Sequence, residues 1–342
     1  MQSYPAPEGS PIDPAIQQTS TGSAEPTFRE QGEAFLLQLS TRIRKPVHNS
    51  TLFTWEHNLN HWIYPAIGHL PLSEVTNSTV KPLIAAMTDA GLRASYINAQ
   101  FRLVKEVVAS LLDEQGEPKY PRRWNAVYLD LPLINPRTLN RPCFSEEIVN
   151  GLARWRFPRE RMIFILAAAS GARIGEILGL DVSQHVSTDC SILKIERQAD
   201  HGHLVPYVKT NASNREIDLH LSVAEMLNDF IGDRKSGLLF STANCTPMNL
   251  THILSGHLHP ALRELGFVNL CTGTEKAGMH AFRRFRNTLL GKCLGLPERV
   301  QKYWMGHSAH SITERYDKIT EDRDSRKLWA QRCGIGFKLP SE

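Results

Sequence analysis

Six side chains in the second half of this 342-residue chain are of types that bind or attack at a phosphate. Arg173 stands in "SGARIGEILGL", just after a glycine stop and in the first turn of a new helix. Free backbone N–H groups and the helix dipole favour an anion there, and the guanidinium adds a bidentate fork. Glu176, three residues on, is placed to orient that fork. In "HAFRRFRNTLL", His280 and Arg283 lie three apart and share a helix face, while Phe282, Phe285 and Leu289 form the opposite, apolar stripe. An imidazole and a guanidinium on one face make a donor pair for one phosphate. Lys209 ends a strand where the chain enters a hairpin turn, so it can reach into a site without joining a core. In "GHSAHSITERY", Gly306 stops a helix, His307 follows on a tight turn, and the capping box "SITE" opens another helix near Ser311. That helix carries Tyr316, nine residues after His307, so the turn and the helix hold a phosphate donor and a phenol at one site. Taken singly, each feature has a plainer reading: a surface Arg–Glu pair, a solvated turn lysine, a basic helix face, a packing tyrosine.

These residues need elements to hold them. A domain over 143–342 opens at "FSEEIVNGL", with Ser145 as N-cap and acids in the first turn. "RERMIFILAAASGA" predicts a buried helix stopped by Gly171. The period then shifts, and "SILKIE", "HLVPYVK" and "REIDLHL" predict a small three-stranded antiparallel sheet, with "TNASN" as the turn between the last two strands. After about residue 223 the pattern is helical again. Upstream, residues 28–120 predict four helices with short turns, the first capped by Thr27 and Glu30 at capping-box spacing. Residues 121–142 hold four prolines and no helical period, which predicts a linker. Residues 1–27 are Pro-, Ser- and Gly-rich and predict a disordered lead-in.

Composition bounds the rest. Apolar residues at 41% and charged residues at 22% are ordinary for a globular chain, and 342 residues exceed what one core usually serves. No apolar run is long enough to cross a membrane, and the N-terminus lacks a basic segment followed by an apolar one, so a secretory signal is not expected. Six cysteines without a CxxC pair fit free thiols in a reducing cytoplasm. The net charge of +4 permits a polyanionic partner without requiring one. "HILSGHLH" holds His252, His257 and His259, but at a spacing unlike a helical two-histidine zinc site, so no metal is expected.

The joint pattern is more specific than its parts. Arg173 in a G-x-R-x-x-E context, Lys209 in "VKTNASNREIDL", His280-x-x-Arg283, Gly306-His307 and Tyr316 resemble the motif set of the tyrosine recombinase (phage integrase) family. The resemblance spans roughly residues 28–325, the helical first domain being its weaker part. It implies a mostly α protein with a helical core-binding domain (28–120) and a catalytic domain (143–342). It also implies DNA cleavage and rejoining through a covalent 3′-phosphotyrosyl intermediate, without ATP or a metal.

Roles follow from the resemblance residue by residue. Tyr316 is the nucleophile. Arg173, Arg283 and His307 stabilise the charged phosphate, His280 is a candidate base, Lys209 is the acid for the leaving 5′-oxygen, and Glu176 orients Arg173. Expected partners are double-stranded DNA with a specific core site and three further copies of the chain in a tetramer, with room for accessory DNA-bending proteins, all in a nucleoid-associated cytoplasmic setting. The two domains would grip opposite sides of the duplex. Arg284 and Arg286 are expected as phosphate contacts, with Arg42, Arg44, Lys45, Arg93, Arg102 and Lys105 serving the first domain. The tail "SRKLWAQRCGIGFKL" is expected to dock on a neighbouring subunit through Leu328, Trp329 and Cys333. With only about 27 residues before the first helix, the expectation is a simpler recombinase of a mobile or plasmid element, or one that resolves or inverts DNA. The competing readings are a non-catalytic DNA-binding protein of the same fold and strand relaxation of the topoisomerase IB kind.

Overall fold

The computed structural model describes residues 25–44, 47–135, 142–208, 213–273, 276–307 and 321–340. The chain divides into two compact units, 1–138 and 139–342. In the first, α1 (Phe28–Ser40) opens on the capping box: Glu30 N–H donates to Thr27 Oγ1 at 3.3 Å, and Thr27 N–H to the Glu30 carboxylate at 2.8 Å. The helix α2 (Asn49–Asn58) runs on through a π turn (Leu59–Ile63) into α3 (Tyr64–Ile67). Pro65 explains the π turn, because its ring would clash with the carbonyl four residues back and it has no N–H to donate. Next come α4 (Asn77–Asp89) and α5 (Ala94–Ser110). Phe28, Leu59, Ile63, Ile84, Val104 and Val107 close one core among these helices.

The stretch 121–142, read as a linker, is tied to the first unit over much of its described length. Arg122 donates to the carbonyls of Leu72, Ser73 and Val75, Trp124 meets Phe101 edge-on, and Leu129 is buried in the same core.

The second unit is built around α7 (Pro158–Ser170), buried on all sides and ended by Gly171 at φ +67°. Around it lie α6 (Glu146–Leu152), α8 (Ile174–Leu178), α9 (Val182–His185) and α10 (Leu221–Ile231). Another π turn (Leu254–Leu258) joins α11 (Leu250–Ile253) to α12 (His259–Glu264), again just ahead of a proline, Pro260. Then follow α13 (His280–Lys292), α14 (Glu298–Met305) and a C-terminal helix (Arg323–Cys333).

The strands differ from the sequence reading. Among the described residues there are four, in two antiparallel ribbons, where one three-stranded sheet was expected. Strand β1 (Ile192–Ile195) pairs with β4 (Arg215–Asp218), and β2 (Gln198–Asp200) with β3 (His203–Val205). The extra strand is polar and lacks an apolar alternation. Its hairpin is closed by His201 and Gly202, both at positive φ, a two-residue turn whose twist suits an antiparallel pair.

The tail is tied down locally. Its described part docks on its own unit: Arg326 and Ala330 are fully buried, Phe337 joins the core against Phe285, and Trp329 and Cys333 pack beside it. Leu328, expected in an intersubunit face, is exposed. Removing 326–342 would therefore open this unit's own core.

Phe282, fully buried, anchors α13 by lying edge-on to Phe144 and stacked on Phe164, with centroids 4.8 and 5.6 Å away. Phe282→Ala is expected to cost roughly 3–5 kcal/mol of stability, read from denaturant unfolding.

Candidate active site

Glu176 is the hub of the site. It lies in α8 and is 1% exposed, and two arginines converge on its carboxylate. Arg173, the residue before α8, donates Nη1 to Glu176 Oε1 at 2.7 Å and its backbone N–H to Oε2 at 2.8 Å. Arg215, at the head of β4, takes the same carboxylate with both Nη atoms, at 3.2 and 2.9 Å. Burial alone would push the Glu176 carboxyl up, but the Arg215 guanidinium and the Arg173 hydrogen bonds outweigh it and hold the group below its ordinary value.

Arg215 is also the link to the Gly306-His307 turn. Its Nε–H donates to the Trp304 carbonyl at 2.7 Å, near the end of α14. That helix ends as the sequence predicts. Gly306 has φ +60°, its N–H bonds Tyr303 O at 2.9 Å, and His307 N–H bonds Lys302 O at 3.0 Å. These crossed bonds satisfy the last carbonyls and require a left-handed residue. A Cβ on Gly306 would also stand 2.9 Å from Arg215 Nη1, so the glycine admits the guanidinium as well as the turn.

Arg283 closes the frame. Nη1 donates to Gly171 O at 2.9 Å, and Nη2 donates to Met305 O. One side chain thereby ties the loop before Arg173 to the residue before Gly306. Burial, with the charges of Arg173 and Arg215 close by, pushes this guanidinium down to about 10, still well above neutrality. His280 is exposed one turn earlier on α13, and His307 is exposed beyond the Gly306 turn.

Lys209 and Tyr316 lie outside the described residues, but their surroundings are informative. Ser213, the first described residue after Lys209, is fully buried and accepts from Arg173 Nη1 at 3.0 Å. The segment carrying Tyr316, 308–320, is fastened to β4 on both flanks. Before it, Tyr303 Oη accepts from Glu216 N–H at 2.9 Å and Trp304 Nε1–H donates to Asp218 at 2.8 Å. After it, Arg323 donates to Glu216 at 2.5 Å, and Arg326 to Asp218 at 2.8 Å and Glu216 at 2.7 Å.

The structure thus brings together Arg173, Glu176, Arg283 and the Gly306-His307 turn. It adds Ser213, Arg215 and Trp304, which the sequence reading did not single out. The available signal was Arg215, a lone arginine opening an aliphatic strand.

Arg286 is a correction. Expected at phosphate, it is 3% exposed and donates Nη1 to Gly334 O at 2.6 Å, so its charge faces the protein interior. Arg284 donates to Pro142 O at 2.7 Å and is half-buried. In the first unit Arg42, Arg44, Arg93 and Arg102 are exposed. Arg102 stands 3.9 Å from Glu106, and the Lys105 ammonium lies over the Phe101 ring. Lys45 falls outside the described residues. His259 bonds Ala277 O at 2.9 Å, and His257 faces Glu160 at 3.6 Å. Among the described residues no group of three or more His, Cys, Asp and Glu could hold a metal, and no helix is long and apolar enough to cross a membrane.

Residues 154–323 match the family model of the phage integrase family, a span that holds all six side chains of the motif set. The sequence finds no match among curated proteins. Among solved structures, the chain resembles the Tn1549 transposon integrase in complex with transposon right end DNA. The TM-score is 0.64 at 19% identity, over 88% of this chain and 98% of that one. A lambda integrase tetramer bound to a Holliday junction gives a TM-score of 0.58 at 15% identity, over 91% and 85%. A lambda integrase dimer bound to a COC′ core site gives 0.55 at 15% identity, over 87% and 97%. At such identities the likeness is one of fold.

Glu176→Gln keeps the size of the side chain and removes its charge. At neutral pH it is expected to cost roughly 3–5 kcal/mol in urea unfolding, because two guanidiniums lose their buried counter-charge. The folded carboxyl is depressed, so the wild-type advantage is complete above the ordinary value of 4.5 and is lost as pH falls through the lowered folded value. Unfolding curves at descending pH should show the two proteins converging.

Proposed function

The chain belongs to the tyrosine recombinase (phage integrase) family, and on that premise we propose that it is a site-specific DNA recombinase working through a covalent 3′-phosphotyrosyl intermediate. The observation that carries the reading is the frame in which Arg173 and Arg283 stand beside the Gly306-His307 turn, held by Glu176, Gly171 and Met305. A guanidinium has five N–H donors, so each arginine keeps donors beyond those used for positioning. Arg173 remains 25% exposed, which leaves its fork open to a ligand.

The chemistry follows from charge. Attack by the Tyr316 oxygen on a phosphodiester builds negative charge on the non-bridging oxygens. Cations fixed beforehand stabilise that state more than the ground state. Arg173, Arg283 and His307 fill this role. A free phenol titrates near 10. The arginines favour phenolate, and His280 accepts the proton. Lys209 protonates the departing 5′-oxygen. Glu176 and Arg215 hold the frame without touching substrate. The phosphotyrosyl bond conserves the energy of the broken strand, so rejoining needs no added energy source.

The substrate is duplex DNA with a specific core site, and the working assembly is a tetramer of this chain, with accessory DNA-bending proteins as further partners, within a cytoplasmic nucleoid. Arg42, Arg44, Lys45, Arg93, Arg102, Lys105 and Arg284 serve the backbone, whose phosphates supply most of the affinity. The biological role is movement or resolution of a mobile element.

Expressed in bacteria and lysed in SDS, the wild-type protein is expected to retain covalent DNA that converges on a short inverted repeat. Tyr316→Phe should retain none, yet bind the same fragment with nearly unchanged affinity, since one hydroxyl is lost. Covalent DNA without a shared sequence would indicate strand relaxation instead. Covalent DNA on Tyr316→Phe would remove Tyr316 from the reaction. On the recovered site, Lys209→Ala should slow cleavage by about 10²–10⁴-fold. A substrate with sulfur in place of the 5′-bridging oxygen should recover most of that loss, because a thiolate leaves without a proton. Failure to recover would assign the acid elsewhere.

A further inference from the structure

Two of the chain's six cysteines meet in space. Cys293, just past the end of α13, and Cys333, the last residue of the C-terminal helix, are 40 positions apart, and the Cys333 thiol donates to Cys293 Sγ at 2.7 Å. Both are half-buried, within reach of a small reagent, whereas Cys190 and Cys271 are buried. A disulfide is about 2.05 Å long, so closure asks only a small approach of two side chains already in contact.

A charged group stands beside the pair. The Arg286 guanidinium is buried beside both sulfurs, with burial pushing it down to about 10. A cation there favours a sulfur anion. Burial and the hydrogen bond to Cys293 push the Cys333 thiol up to about 12, against the pull of the Arg286 charge, so it is the contact between the two sulfurs that favours closure. Arg286 also donates to Gly334 O, which fixes the backbone next to Cys333.

We propose that Cys293 and Cys333 form a reversible disulfide site, closed by exchange with a small-molecule disulfide, that clasps the C-terminal helix onto α13. One of the two thiols gives up its proton and attacks one sulfur of the small disulfide, forming a mixed disulfide and releasing one small thiolate. The other then gives up its proton and attacks the protein sulfur of that mixed disulfide, releasing the second. The two protein thiols are oxidised by two electrons, the small disulfide is reduced to two thiols, and the two protons go to those leaving groups. The closed loop contains α14, the Gly306-His307 turn and Tyr316. In the reduced protein the same helix is held by the ion pairs of Arg323 and Arg326 with Glu216 and Asp218. The disulfide adds a covalent hold and restricts the unfolded chain.

The test uses the full chain, treated with oxidised glutathione or with a phosphine reductant. Oxidation is expected to join the peptides bearing Cys293 and Cys333 in non-reducing mass mapping, whatever adducts form on the exposed Cys143 and Cys245, and to raise the melting temperature by several degrees. The reductant should reverse both, and Cys293→Ser should show neither the joined peptides nor the rise. Glutathione adducts at either cysteine without joined peptides would overturn the proposal, as would joined peptides with no gain in stability. None of these readouts depends on strand transfer.

Discussion

One carboxylate organises this protein's second unit. Glu176 is taken out of water and must be met by charge, and the chain brings two guanidiniums to it from different elements. Arg173 comes from the loop before α8, and Arg215 from β4. A buried ion pair adds little net stability over an apolar alternative, but losing one partner is costly, so such a pair fixes geometry firmly. Arg215 passes the constraint on by binding the Trp304 carbonyl, and Arg283 repeats it by bridging Gly171 and Met305. The Gly306-His307 turn therefore sits where it does because backbone carbonyls on α14 are needed to satisfy buried guanidiniums. Electrostatic preorganisation and folding are here the same set of bonds.

Several of these features were legible because they carry a local signal. The Gly171 and Gly306 stops, the capping box at Thr27 and the His280-x-x-Arg283 face are all read within a few residues. The family resemblance joined them into one site. Arg215 carries only a weak local signal, a lone arginine opening an aliphatic strand, because such an arginine usually faces solvent and only the fold supplies its carboxylate. The pairing of β1 with β4 was hidden for a related reason: it joins segments twenty residues apart, and the hairpin between them is polar. Arg286 could have been placed correctly. It lies four residues after Phe282 and next to Phe285, so helical spacing already put it on the buried stripe of α13.

The tail shows how the two ends of the Tyr316 segment share one support. Strand β4 offers Arg215 to Trp304, the Glu216 backbone to Tyr303, and the carboxylates of Glu216 and Asp218 to Arg323 and Arg326. A four-residue strand thus sets where the chain enters and leaves residues 308–320. The expectation of a neighbouring subunit came from the family resemblance and from the modest apolar face of Leu328, Trp329 and Cys333. Arg326, charged and fully buried, gave no such signal, yet it fastens the helix to β4.

The proposed reaction turns on a covalent bond between DNA and one side chain, and that bond can be located. SDS-resistant complexes would be digested with nuclease and protease, and the modified peptide sequenced by tandem mass spectrometry. The expected product is a nucleotide joined through its 3′-phosphate to Tyr316, with a free 5′-hydroxyl on the other side of the break. A nucleotide on Tyr303 or Tyr207, on a serine, or joined through a 5′-phosphate would contradict it.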